Sequence, residues 1–142
     1  MKAINPYLNF PGNTEEAFNF YKSVFGGEFV GLTRFKDVPD EGNVKPHEKE
    51  KLMHVSLPIG KNNVLMATDA LESMGQLTLG TNFHLSVTAD SKEEAAKIFN
   101  GLSKDGKVSM PLADTFWGDY FGMLTDKFGI QWMVNYTYPK DK

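Results

Sequence analysis

The chain contains no cysteine. That absence removes disulfides, thiolate nucleophiles, zinc ribbons and iron–sulfur clusters together. Positive charge is short as well: fifteen Lys and Arg stand against eighteen Asp and Glu, a formal net charge of -3. No surplus remains to neutralise phosphates, which argues against a nucleic-acid partner. No window approaches the roughly 20 apolar residues of a membrane-spanning helix, and the opening MKAINPYLNF carries neither a signal-peptide nor a transit-peptide pattern. The expectation is a cytoplasmic protein without a membrane partner.

Metal and phosphate motifs are equally sparse. The three histidines, His47, His54 and His84, form no HxH or HExxH pattern and have no carboxylate at ligand spacing. His47 reads as a solvated loop residue. Gly26-Gly27 follows a helical pattern instead of preceding one, so its N–H groups do not form a phosphate cradle. Ser56 and Ser86 sit in strand-like segments, without the sharp turn that exposes a hydrolase serine.

What the chain does have is aromatic and aliphatic bulk: 142 residues, 41% hydrophobic, with eleven Phe, five Tyr and two Trp. That suffices for one core and excludes disorder. From Ile4 to Phe10, Leu8 and Phe10 fall on one side and Asn5, Tyr7 and Asn9 on the other, the period of a half-buried strand. Asn13 with Glu16 reads as a capping box, and Ala17, Phe20, Tyr21, Val24 and Phe25 follow at helical spacing. The same order returns: Phe83 to Val87 alternates, Ser91 with Glu94 caps, and Ala95, Ile98, Phe99 and Leu102 mark a helix face. Glu15-Glu16-Ala17 recurs as Glu93-Glu94-Ala95, 93 − 15 = 78 residues later, and Leu8 answers to Leu85.

Three extended segments follow each helix. They are Glu28–Phe35, Leu52–Leu57 and Val64–Asp69, then Lys107–Leu112, Tyr120–Thr125 and Ile130–Tyr136. Each half is therefore β-α-β-β-β, an α+β duplication with module one at 1–71, a linker at 72–80 and module two at 81–138. Asp37–Glu50, with two prolines and a glycine, reads as a solvated hairpin loop. Leu8, Phe10, Phe83, Leu85 and Val87 are expected under the helices, with Ile130, Trp132 and Val134 of the last segment. The opposite side carries amides, a phenol, imidazole and thioethers, groups suited to a small organic molecule. We select Tyr7, His54, Met66, His84, Trp117, Gln131, Met133 and Asn135 as its candidate ligand-binding residues.

The string Asn5-Pro6-Tyr7-Leu8 with Glu16 to Gly27 resembles the opening of the PhnB-like family. So do Met53-His54-Val55-Ser56-Leu57, Leu65 to Asp69, Pro111 to Gly118, and Phe121 to Trp132. That family lies within the vicinal-oxygen-chelate group, beside glyoxalase I, bleomycin-resistance proteins and extradiol dioxygenases. The resemblance implies paired βαβββ modules in a cupped, incompletely closed eight-stranded mixed sheet with two main helices, assembled as a homodimer. Many such proteins carry the label 3-demethylubiquinone-9 3-methyltransferase, but no glycine-rich cofactor loop supports methyl transfer here. In metal-dependent relatives the ligands come from the first and fourth strand of each module. Those positions fall near Asn5, Met66, Asn82 and Met133, poor ligands for hard or borderline divalent ions.

The first expectation is thus a small-molecule-binding protein with no resident metal and no cofactor. The alternatives are a glyoxalase-type lyase or isomerase with a relocated metal site, using His54 or His84 as general base, and a dimeric scaffold with a vestigial cup.

Overall fold

A computed structural model describes residues 1–39, 42 and 44–140. The chain divides into two compact units, Met1–Thr78 and Leu79–Lys142. Each is a βαβββ module with its own four-stranded mixed sheet, and neither sheet closes on itself.

In the first unit, β1 (Tyr7–Phe10) leads into α1 (Thr14–Phe25), then β2 (Gly31–Arg34), β3 (Leu52–Ile59) and β4 (Asn63–Asp69). The sheet order is β1-β4-β3-β2, with β1 parallel to β4 and the other pairs antiparallel. Pro6, which lacks an N–H, precedes the edge strand β1 and uses only its carbonyl, accepting from Met66 N at 3.2 Å. Leu8, Phe10, Val55, Leu57, Leu65 and Ala67 are buried together with Ala17, Phe18 and Tyr21 of α1. Phe18 meets Phe10 and Tyr21 edge-on, with ring centroids 6.4 Å and 5.6 Å away.

The start of α1 corrects the capping expectation. Asn13 makes no side-chain cap bond; instead Thr14 N donates to Asp69 Oδ1 at 3.0 Å, and Leu52 N donates to Asp69 Oδ2 at 2.8 Å. A carboxylate at the end of β4 thus joins the first turn of the helix to the start of β3.

The charged stretch joins the antiparallel pair β2 and β3 as a hairpin loop and is exposed at most of its described positions, but it is not solvated throughout. Asp40, Glu41 and Asn43 lie outside the described residues, but the remainder is tied down. Single 3-10 turns form at Phe35–Asp37, Pro46–Glu48 and Glu72–Met74. Glu48 is fully buried and accepts from Lys45 N at 3.1 Å and Glu72 N at 3.0 Å. This buried carboxylate pins the loop to the segment after β4, which a merely solvated hairpin would not require.

In the second unit, β5 (Leu85–Thr88) leads into α2 (Lys92–Ser103), followed by β6 (Lys107–Asp114), β7 (Asp119–Thr125) and β8 (Gln131–Thr137). The order β5-β8-β7-β6 repeats the first sheet, with β5 parallel to β8. Ser91 caps α2 by accepting from Glu94 N at 3.0 Å, while Glu94 Oε1 accepts from Asp90 N at 2.8 Å. Trp132 and Val134 are buried as expected. Phe83 is 56% exposed, because β5 starts only at Leu85 and the alternation does not extend back to it. Gly122 holds α2 close: a Cβ there would meet the Phe99 ring at 2.6 Å and Leu112 N at 3.0 Å.

The two cores distribute bulk differently. With the 78-residue offset, Phe18 answers to Ala96. Leu8 pairs with Ala67 in the first sheet, whereas its counterpart Leu85 pairs with Trp132 in the second. Among the described residues, no helix is long and apolar enough to cross a membrane.

Candidate functional site

The side of the first sheet opposite α1 carries Tyr7 and Asn9 from β1, Met66 and Thr68 from β4, His54 and Ser56 from β3, and Gly31 and Thr33 from β2. Register brings them together: Tyr7 pairs with Met66, Met66 with Ser56, Ser56 with Gly31, and His54 with Thr33. None of these side chains is a carboxylate, lysine or arginine. Arg34 and Asp69, the charged neighbours on β2 and β4, turn the other way: Arg34 bonds Glu15 of α1 at 2.9 Å and Asp69 takes the N–H of Thr14.

Three of these groups form a chain. Tyr7 Oη lies 3.2 Å from His54 Nδ1, and His54 Nε2 lies 2.8 Å from Ser56 Oγ, so both ring nitrogens are engaged. The Tyr7 and His54 rings are 5.7 Å apart and tilted. Burial pushes the Tyr7 phenol up from its ordinary value, with a hydrogen bond to Thr68 pulling against it. The phenol therefore stays neutral near physiological pH. Beside Ser56, a Cβ at Gly31 would have nothing within 4 Å, and Gly31 is not among the positive-φ glycines. The glycine thus supplies space next to the chain rather than a special backbone angle.

Five selected residues lie in the second unit. Gln131, Met133 and Asn135 alternate along β8 on the side away from Trp132 and Val134, and Met133 pairs with Ser86 and Met123. Gln131 Nε2 donates to the Phe83 carbonyl, and Asn135 Nδ2 donates to Thr137 Oγ1 at 3.3 Å. Trp117 sits in the turn between β6 and β7, 55% exposed, with its Nε1 donating to Asp119 Oδ2 at 2.9 Å. Its ring stands 5.0 Å from Phe116 and 6.3 Å from Phe121. His84 is half-buried just before β5 and has no hydrogen bond among the described residues. Thus Tyr7, His54 and Met66 share one face, and Gln131, Met133 and Asn135 share another. Ser56 and Gly31 complete the first group although neither was selected from sequence; the alternation of Ser56 with His54 was the available signal.

One ligand-like cluster escaped the sequence. His47, Glu48 and Glu72 place one ligand atom each within 4.8 Å of one another. His47 is therefore not simply solvated: its Nε2 lies 2.9 Å from Glu72 Oε1. Lys45 Nζ also donates to Glu72, and Lys51 Nζ lies 3.8 Å from Glu48. The Lys45 ammonium, followed by His47, holds the Glu72 carboxyl down at about 2. Two ammonium groups occupy the cation positions, so the cluster neutralises itself and fastens a loop.

The pairing of parallel β1 with β4, repeated by β5 with β8, coincides with a family match. The model of the glyoxalase/bleomycin resistance protein/dioxygenase superfamily matches residues 3–134. The chain belongs to this superfamily. Protein YjdN of Escherichia coli strain K12 is 31% identical over 140 residues, 93% of each chain. The crystal structure of PA1353 from Pseudomonas aeruginosa is 40% identical with a TM-score of 0.84, covering 94% of this chain and 96% of that one. The PhnB protein from Bacillus cereus is 29% identical with a TM-score of 0.76, covering 94% and 98%.

Metal-dependent superfamily members need a divalent ion, and the donors here do not fit one. Of the four expected positions, Met66 and Met133 lie on β4 and β8, where they pair with Tyr7 and Ser86 and offer two thioethers beside a phenol and a hydroxyl, while Asn82 precedes β5. Asn5 Oδ1 is already used, accepting from Val64 N at 3.2 Å. Hard and borderline divalent ions prefer carboxylate and imidazole, and neither is present in these pairs.

Proposed function

We propose that this superfamily member binds a small organic molecule on the uncharged face of its first sheet, without a resident metal. The observation that carries this reading is the open space at Gly31 beside the Tyr7–His54–Ser56 chain. Met66 supplies a polarisable surface there, and the fixed hydroxyls and imidazole supply orientation. The side of β8 bearing Gln131, Met133 and Asn135, with Trp117, is the second part of the same proposal, its amides and thioethers suiting the same ligand chemistry. Homodimeric assembly, implied by the family resemblance, belongs to the proposal and is decided by light scattering.

A small-molecule thermal-shift screen tests it, run on the parent and Gly31→Leu. A ligand at about 100 times its Kd stabilises by about 2.7 kcal/mol, a readily measured shift. Gly31→Leu should melt with the parent when unliganded, since its side chain enters open space, and should lose the ligand-induced shifts. Ligands that stabilise Gly31→Leu equally overturn the assignment.

A second reading is a proton-transferring isomerase or lyase. The bonds of His54 to Tyr7 and Ser56 favour His54 over His84 as its base, because an oriented imidazole is what proton transfer requires. Solvent deuterium entering a carbon position of a bound ligand with the parent, and not with His54→Gln, supports it. Methyl transfer gains no support: Gly26 and Gly27 follow the C-terminal end of α1 and do not open a helix.

A further inference from the structure

On the second sheet three methionines stand in one line. Met110 of β6 pairs with Met123 of β7, Met123 pairs with Met133 of β8, and Met133 pairs with Ser86 of β5. Residues directly opposite on neighbouring strands share a face. That face is turned away from α2. Leu124, Trp132 and Val134, which alternate with these methionines, are buried, and a Cβ at Gly122 would meet the Phe99 ring of the helix.

Met110 reaches the line through an irregularity. Lys107 pairs with Thr125 and Val108 with Leu124, so an uninterrupted ladder would set Met110 opposite Gly122, on the helix side. The register instead shifts between Val108 and Met110, which moves the methionine opposite Met123, and shifts again between Met110 and Ala113. A slip of one residue exchanges the faces of a strand, and bulges recur where a side chain is re-aimed beside a functional site. Met110 is 46% exposed and Met123 and Met133 are half-buried, so the line is open to solvent.

The donors decide the occupant. Neighbouring strands lie about 5 Å apart, which sets the outer two methionine backbones about 10 Å apart, and three rotatable bonds let each side chain lean toward Met123. Thioethers are soft, neutral ligands that select copper(I) over hard and borderline divalent ions. The chain has no cysteine to draw such an ion away. Of its imidazoles, His54 has both nitrogens engaged and His47 is paired with Glu72. We propose that Met110, Met123 and Met133 form an exchangeable three-thioether site for copper(I) on the open face of the second sheet. The site goes beyond the organic-ligand reading of the first sheet and does not rest on it; Met133 is common to the two. A thioether has no proton to lose, so uptake is independent of pH, unlike that of an imidazole or carboxylate site.

The test gives the full chain copper(I) under anaerobic conditions as its bicinchoninate complex, with silver(I) as a redox-inert NMR probe. The chain should withdraw copper(I) from the complex equally at about pH 5.5 and about pH 8, either side of the imidazole range. Silver(I) should shift the methyl signals of Met110, Met123 and Met133 together and leave those of Met53, Met66 and Met74 in place, and zinc(II) should move none of them. Met123→Leu nearly conserves volume and should weaken copper(I) binding by about tenfold or more, since even the outer partners of a bound metal are worth about 10–100-fold. Met53→Leu should leave it unchanged. Equal binding by Met123→Leu and the parent overturns the inference, as does binding that survives in Met123→Leu and is lost in His84→Gln, which assigns the ion to the imidazole. If Met123→Leu melts well below the parent, the methyl signals of the parent decide, and silver(I) that leaves all three in place overturns the site.

Discussion

Asp69 holds the first N–H of α1 from Thr14, 55 positions away in sequence, at 3.0 Å. The same carboxylate holds Leu52 N, so one buried group fixes a helix start, a strand start and a strand end. Asp69→Ala strands two buried N–H groups, each costing about 1–3 kcal/mol. Urea unfolding should show a loss of about 3 kcal/mol, with Asp69→Asn losing less.

Thr14 gives the opposite sign. Its side chain is fully buried and Oγ1 has no hydrogen-bond partner among the described residues. Valine keeps the shape and removes the unpaired hydroxyl, so Thr14→Val should raise stability by about 1 kcal/mol in the same measurement.

Acid should act through the loop lock. Glu72 titrates at about 2 in the folded chain against 4.5 ordinarily, held down first by Lys45 and then by His47. Glu48 is lowered as well, chiefly by the Glu72 N–H. A depressed folded pKa stabilises the fold above the unfolded value. That contribution should fade as pH falls from about 4.5 towards about 2. Urea midpoints across that window should slope less steeply in Glu72→Gln than in the parent, and equal slopes would refute the assignment.

At the second helix the decisive contact is steric. Gly122→Ala places a methyl group 2.6 Å from the Phe99 ring and 3.0 Å from Leu112 N. Overpacking of this kind costs about 1–3 kcal/mol. Phe99→Leu in the same chain should recover only part of it, because the Leu112 backbone cannot retreat as a side chain can.

Asp126 closes the β7–β8 turn by accepting from Phe128 N and Ile130 N at 2.8 Å and 3.1 Å, and from buried Trp132 Nε1 at 2.8 Å. Trp132→Phe keeps a ring but removes that indole donor and some bulk. A loss of about 2–4 kcal/mol is expected from the charged hydrogen bond and the cavity together, read by urea unfolding.

The modules were legible because their signals are local. Leu8 and Phe10 alternate, Ala17 and Tyr21 repeat at helical spacing, and Ser91 with Glu94 is a cap within four residues. The same alternation puts Tyr7, His54 and Met66 on one face of the first sheet. What stayed hidden depends on distant partners. Asn13 offers the right chemistry for a cap, but Asp69 reaches the helix first. Glu48 looks solvated until Glu72 arrives beneath it. Gly31 reads as a weak strand residue, since only the folded sheet reveals the open space beside Ser56. Phe83 misled because alternation says which side a residue takes and not where the strand begins.

Bulk is placed oppositely in the two cores, with Phe18 in a helix of one and Trp132 in a strand of the other. The repeats are no longer spare parts for each other. A hybrid carrying α1 over the second sheet would bring the Phe18 ring to a core already filled by an indole, and the reciprocal hybrid would bring neither ring.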